Sequence, residues 1–246
     1  MPEISNPVMA YNIVVNAFNK VKETGILEPN PDIFVFSQAV ILWQYDIANN
    51  SWVTDEHSPA EKILNMKSML DRLEFHFFGQ SLNKIVIRDW KTSADFTANF
   101  IQGNYKKYQI HHQLAFYVLA VKWLLKSLGY SYEDIEDVEF QCVIDYIPYN
   151  SSGDLVGYKS YTISFTDIYK ATFGGYYKPS YLSMFEDNQD KRVQVFFSEV
   201  AENYLPDELN PAGAGATDNK IVGITELLNY YYNLCTLHLQ KKNKNN

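Results

Sequence analysis

Asp71 stands in the run MLDRLEF, and Asp89 and Lys91 stand in RDWKTS. Alternation over residues 66–78 places Asp71 on one strand face with Met69, Leu73, Phe75 and Phe77. Ser68, Arg72, Glu74 and His76 take the other face. A carboxylate among large apolar side chains is costly to ionise, so it calls for a cation, a partner or a strand edge. Over residues 84–91 the same period aligns Ile85, Ile87, Asp89 and Lys91. If the two strands form a hairpin, the aspartates approach each other on one face. Two carboxylates held together repel, and a hard divalent cation such as Mg2+ or Mn2+ relieves that repulsion. Such a cation polarises a phosphodiester and lowers the pKa of a bound water. A lysine beside it steadies the charge that develops on attack. The same three residues also read as a surface ion pair between Asp89 and Lys91, with Asp71 at a turn.

The next polar signal lies on a helix. Gln113 and Tyr117 are four residues apart in QLAFY and share an edge with Gln109 and Lys106. An amide and a phenol so placed reach a phosphate or a water. The alternative is ordinary helix polarity, with Tyr117 half-buried in the apolar stripe.

The elements that must position these residues are legible as patterns. Residues 7–22 read as a helix that opens near Pro7 and closes near Gly25. Residues 33–45, rich in β-branched and aromatic types, read as a strand, followed by a turn at Asn49-Asn50. Ser58-Pro59-Ala60-Glu61 resembles a short helix start capped by the glutamate. Residues 79–83 read as a loop between the two strands of the hairpin. Residues 105–128 form a helix with Ile110, Leu114, Tyr117, Val121, Leu124 and Leu128 on one stripe, ended by Gly129. Residues 138–147 and 158–165 read as further strands, and 221–240 as a final helix that packs through its apolar side. Residues 210–219, small and polar, read as a loop. The expectation is an α/β or α+β layered fold with a central mixed sheet flanked by helices. A core over residues 1–175 would carry a C-terminal helical extension over 176–246.

Composition narrows the function. Hydrophobic residues make up 46% of the 246 and charged residues 20%, a globular balance. No run of about 18 apolar residues occurs, so no membrane span is expected. The first residues lack the basic start and apolar run of a signal peptide, so a cytoplasmic protein is expected. Cys142 and Cys235 are the only cysteines, which excludes a four-cysteine iron–sulfur cluster. A net charge of −8 argues against a protein that coats nucleic acid broadly. Charge is uneven, however. Residues 75–130 hold seven Lys or Arg and only Asp89 and Asp95 as acids, whereas five acids crowd residues 133–139. A local phosphate-binding surface with Arg88, Lys106 and Lys107 at its border is expected, with 133–139 facing away.

The ordered set IVIRDWKTS, preceded by MLDRLEF and followed by QLAFY, resembles the RecB-like branch of the PD-(D/E)xK nuclease superfamily over residues 35–148. In size the chain looks like a phage-type exonuclease. The resemblance implies a restriction-endonuclease-like core and DNA as partner, and in a phage, the host cytoplasm as location. Phage or recombination proteins would be further partners. It implies that Asp71 and Asp89, joined by the backbone carbonyl of Trp90, ligate Mg2+ or Mn2+. Lys91 would be the catalytic lysine, and Gln113 and Tyr117 would brace the site and the DNA strand. The chain departs from the family in having no histidine in residues 7–22; His57 is the one histidine before Asp71. That departure admits a second expectation: a catalytically weak PD-(D/E)xK-like domain that binds DNA or serves in a phage particle.

Overall fold

In a computed structural model of the chain, the β-rich runs form one mixed sheet. The structure describes residues 7–49, 51–52, 59–93, 110–150, 154–155, 157–163, 175–176, 192–193, 220–221 and 223–244. Helix α1 (Pro7–Glu23) precedes strands β1 (Ile33–Asp46), β2 (Ile63–Phe78) and β3 (Ser81–Ser93). Helices α2 (Ile110–Ser127) and α3 (Tyr132–Asp137) lead to β4 (Glu139–Pro148) and β5 (Lys159–Ile163). Two-residue strands follow at Gly175–Tyr176 (β6), Arg192–Val193 (β7) and Lys220–Ile221 (β8), and α4 (Ile224–Lys244) is the last helix. The sheet runs β1-β2-β3-β4-β5-β7, while β6 pairs with β8 separately. The fold is therefore α+β, with helices flanking a mixed sheet.

The hairpin forms as expected, but its connection is tighter than a five-residue loop. Phe78 pairs with Ser81, leaving only Gly79 and Gln80 between the strands. Gly79 has φ +62°, the left-handed first position that a type II′ turn demands. Strand β3 then pairs parallel with β4. A parallel pair needs a long crossover, and α2 with α3 supplies it. Helix α3 lies within the acidic stretch and was not expected. Ser131 and Asp134 cap it reciprocally, each side chain bonding the other's backbone N–H at 3.0 Å. Its acids Glu133, Glu136 and Asp137 are exposed. The turn before β2 differs from expectation too. It is a single 3₁₀ turn, Ala60–Lys62, with no side-chain cap.

Helix α2 buries Ile110, Leu114, Ala115, Val118, Leu119, Val121 and Leu125 against the sheet. Its buried face is broader than the expected stripe, and Leu128, at the frayed end, is largely exposed. Ile224, Leu228 and Tyr232 of α4 pack onto the same core. Tyr232 also donates its hydroxyl to the carbonyl of Glu61 at 3.0 Å. No helix among the described residues is long and apolar enough to cross a membrane. The 210–219 loop lies outside the described residues.

One irregularity reshapes the hairpin face. The β1–β2 register runs from Ile33↔His76 to Asp46↔Ile63 but skips Gln38 and Asp71. Gln38 has φ +51°, a left-handed backbone on a non-glycine residue. On one side of the break, Phe34 meets Phe77 edge-on at 5.4 Å, and Phe36 meets Phe75 at 5.7 Å. On the other side the inward set changes phase. Ile41, Trp43 and Tyr45 are buried, Trp43 Nε1 donates to Ser68 Oγ at 3.0 Å, and the Trp43 ring meets Phe116 of α2 at 4.9 Å. The expected face for Met69 is thereby corrected. Met69 is 53% exposed and Leu70 fully buried, because alternation is interrupted between them and Leu73.

A left-handed residue of this kind costs on the order of 1–3 kcal/mol unless it is glycine. Gln38→Gly is expected to be at least as stable as the wild type. Gln38→Val, β-branched, should be about 1–3 kcal/mol less stable than the glycine variant. Urea midpoints measure both, and equal midpoints for the two variants would disprove the left-handed assignment.

Candidate active site

The β2–β3 ladder ends at Arg72↔Arg88. Beyond that pair, β2 continues beside β1 alone, and β3 continues beside β4 through Ser93↔Pro148. The strands part where Asp71 and Asp89 stand. The Asp71 carboxylate fills the place of a strand partner: its Oδ2 accepts the Trp90 backbone N–H at 2.9 Å. In an extended residue the N–H and C=O point to the same side, so the Trp90 carbonyl also faces the gap.

Asp89 is buried, 2% exposed. Lys91 Nζ lies 2.7 Å from Asp89 Oδ2. The ammonium and the carboxylate form a charge-assisted pair, so Lys91 occupies that buried oxygen. Gln113 on α2 binds both partners, donating Nε2 to Asp89 Oδ1 at 3.3 Å and accepting from Lys91 Nζ at 3.3 Å. The same Nε2 lies 2.7 Å from the Tyr117 hydroxyl oxygen. The spacing of four along α2 therefore gives one connected chain: Tyr117, Gln113, and the Asp89–Lys91 pair.

Electrostatics follow from burial. Loss of water pushes the Asp89 pKa up to about 6, against the pull of Lys91; Asp71 and Asp145 push the same way as burial. Burial also raises the Tyr117 pKa, opposed by the Gln113 hydrogen bond and reinforced by Asp89 and Asp71. Tyr117 is thus a neutral phenol at ordinary pH. Both aspartates act on one hydroxyl, which marks Asp71, Asp89 and Tyr117 as neighbours.

Arg88 does not join this group of side chains, contrary to expectation. It points to the opposite face of β3, as period two requires of the residue before Asp89. There its Nε donates to Glu74 at 3.0 Å and its Nη1 to Asp145 Oδ2 at 3.2 Å. Arg72 joins Glu74 at 2.6 Å, and His76 lies 2.9 Å from the other Glu74 oxygen. Asp145, fully buried on β4, also accepts from Tyr158 at 2.7 Å and Ser160 at 2.8 Å. Burial alone would raise Glu74, yet the Arg72 hydrogen bond, the Arg88 charge and the His76 hydrogen bond hold its pKa below the usual carboxylate value. This network ties β2 to β5 on the face of β3 opposite Asp89. Alternation had placed Arg72, Glu74 and His76 together, but Asp145 within a strand of apolar residues gave no comparable signal.

Lys106, Lys107, Gln109 and His57 lie outside the described residues. His111 and His112, in the first turn of α2, were not expected to matter. Their rings meet at a tilt with centroids 4.1 Å apart inside the core, where burial and then its neighbour His112 hold His111 well below the ordinary histidine pKa. Among the described residues, no group of three or more His, Cys, Asp or Glu side chains converges to hold a metal. Where the strands part, the chain offers two carboxylates and a backbone carbonyl, all hard oxygen donors. Asp71 also bears on Asp89 as a like charge, which a cation would offset.

No family of known proteins matches the sequence, and no curated protein matches it either. Among solved structures, that of SSO0001 aligns with a TM-score of 0.32 at 11% identity, covering 66% of this chain. The aligned part spans 58% of that protein. A likeness at this level carries no argument about fold or function.

Proposed function

We propose that the chain is a PD-(D/E)xK deoxyribonuclease of RecB-like type, dependent on Mg2+ or Mn2+ and cutting DNA from its ends. Recombination, repair or phage DNA processing is the setting that suits such an activity. The observation that carries this reading is the linked set Asp71, Asp89, Lys91, Gln113 and Tyr117 at the point where β2 leaves β3. Asp71, Asp89 and the Trp90 carbonyl would hold the cation, which when bound supplies Lewis acidity to a phosphodiester oxygen and to a water. Lys91 places an ammonium where charge grows on the phosphate oxygens. Gln113 fixes the lysine and the aspartate together, so neither side chain has to be ordered on substrate binding. Tyr117, kept neutral, offers its O–H to a phosphate oxygen or a water.

A second reading, a DNA-binding or particle component with little catalysis, is favoured by the net charge of −8 and by Arg88 being committed to Glu74 and Asp145. One assay separates them. Linear and covalently closed duplex DNA are incubated with the protein in Mg2+, Mn2+ or EDTA. The nuclease reading expects metal-dependent loss of linear DNA and sparing of the closed circle. Binding without cleavage in any metal supports the second reading. Cleavage of the closed circle makes the enzyme an endonuclease.

A further inference from the structure

The pair that ends the β2–β3 ladder, Arg72↔Arg88, sets two guanidiniums opposite each other on the face of the sheet away from Asp89. Like charges so placed repel. Glu74 holds them side by side, its Oε1 accepting from both Nε atoms at 2.6 and 3.0 Å. Its Oε2 lies 2.9 Å from His76 Nε2. Arg72 Nη2 donates to the carbonyl of Ile26, and Arg88 Nη1 to Asp145. Arg72 Nη1 and Arg88 Nη2 remain. They meet no partner among the described residues, and neither is shut away from solvent. Both arginines line a cavity of about 810 Å³ between the strands and residues 25–32, the segment that joins α1 to β1. Arg72 is only 7% exposed, so its open nitrogen belongs to the cavity floor rather than to an outer surface.

We infer that this cavity binds a small organic acid, with a carboxylate or phosphate group on the two open guanidinium nitrogens and an apolar body along Ile26, Leu27, Ile33 and Val35. The donor inventory selects the charge. Both oxygens of Glu74 are engaged, so the floor offers N–H donors without an open acceptor, and the group that pairs with them is an oxyanion. Two guanidiniums fixed side by side match two oxygens of one such group, and the hydrogen bonds to Glu74 and Ile26 order them before any ligand arrives. A cavity of this size, with apolar walls around a few fixed polar groups, is built for a small molecule. A phosphate of duplex DNA is fixed to a wide rod and does not reach a floor this deeply buried. Charge limits the affinity, because Glu74 and Asp145 offset the two arginines and the exposed Glu28 and Asp32 line the cavity as well. The site lies on the face of β3 opposite Asp89 and Lys91, and the inference is independent of any nuclease activity.

Phenyl phosphate, benzoate and the neutral benzyl alcohol serve as probes. Each is titrated into the full chain in EDTA, so that no bound metal competes for the anion, and is followed by amide chemical shifts. The two acids are expected to bind with a Kd on the order of a millimolar, and benzyl alcohol about tenfold more weakly. The shifts should centre on residues 25–35 and 72–76. Val35 is 40% exposed and stands opposite Glu74 in the β1–β2 register, so its replacement should leave the fold intact, which circular dichroism checks. Val35→Lys should tighten both acids about threefold and Val35→Asp weaken them by a similar factor, with benzyl alcohol unchanged in each. Lys91→Ala, on the other face, should bind the acids as the wild type does. Absence of binding by either acid at about 20 mM would overturn the proposal. Equal affinity for the neutral probe, indistinguishable affinities in the two Val35 variants, or loss of binding in Lys91→Ala would do the same.

Discussion

Replacing Lys91 with alanine is expected to lower DNA cleavage by at least about a hundredfold while leaving DNA affinity and the fold nearly intact. An ammonium aimed at developing charge acts mainly in the transition state, so its loss falls on turnover rather than on binding. The surroundings sharpen the expectation. Lys91 lies 2.7 Å from Asp89, where it neutralises the carboxylate before any cation arrives. Its removal takes away a competitor for that oxygen, so the thermal shift produced by Mg2+ should persist or grow as cleavage disappears. Lys91→Arg keeps the charge but spreads it over a planar fork, and should recover only part of the rate. Single-turnover cleavage and metal-dependent melting on the same preparations decide the matter. Full activity in the alanine variant would remove Lys91 from the chemistry. Loss of both cleavage and the metal response would make it a structural residue.

The second large effect concerns Asp89. In the metal-free protein its pKa stands at about 6, above the ordinary 3.8, because it is buried and has Asp71 and Asp145 for company. A carboxyl group with a raised native pKa binds its proton more tightly when folded. Its penalty is therefore absent below about pH 4, grows as pH rises towards 6, and is complete above that. Two units correspond to at most about 3 kcal/mol. Asp89→Asn lacks this penalty, so in EDTA at pH 7–8 it should be more stable than the wild type by up to that amount, and the difference should vanish near pH 4. Glu74, held below the usual value, acts in the opposite sense, giving stability that is lost as pH falls. It is common to both proteins and cancels from the comparison. Adding Mg2+ should reverse the order at neutral pH. The wild type gains about 2.7 kcal/mol at a metal concentration a hundred times Kd, and the asparagine variant gains less. Cleavage by the variant should be lost. A variant destabilised at every pH would mean that Asp89 supports the fold through Lys91 and Gln113 rather than holding a cation.

Local rules carried much of this protein in its sequence. Alternation and turn residues placed the β2–β3 hairpin, the period of α2 set Gln113 and Tyr117 on one edge, and the order of Asp71, Asp89-x-Lys91 and Gln113-x-x-x-Tyr117 named side chains that the fold links by hydrogen bonds at the end of the hairpin. These features depend on residues close in the chain, whose geometry is set by backbone period alone. Tertiary structure decided the rest. Met69 and Leu70 exchanged faces because Gln38, on another strand, took a left-handed conformation opposite Asp71; nothing in residues 66–78 encodes a break caused by β1. Arg88 was drawn away from that group by Glu74 and Asp145, and Asp145 lies 57 residues further along the chain. The parallel pairing of β3 with β4 brought that aspartate there, and pairing between distant strands is chosen by how whole faces bury together. The raised pKa of Asp89 has the same origin. The residue type supplies the acid, but the water it loses is excluded by packing from α2 and β4, which only the assembled sheet provides.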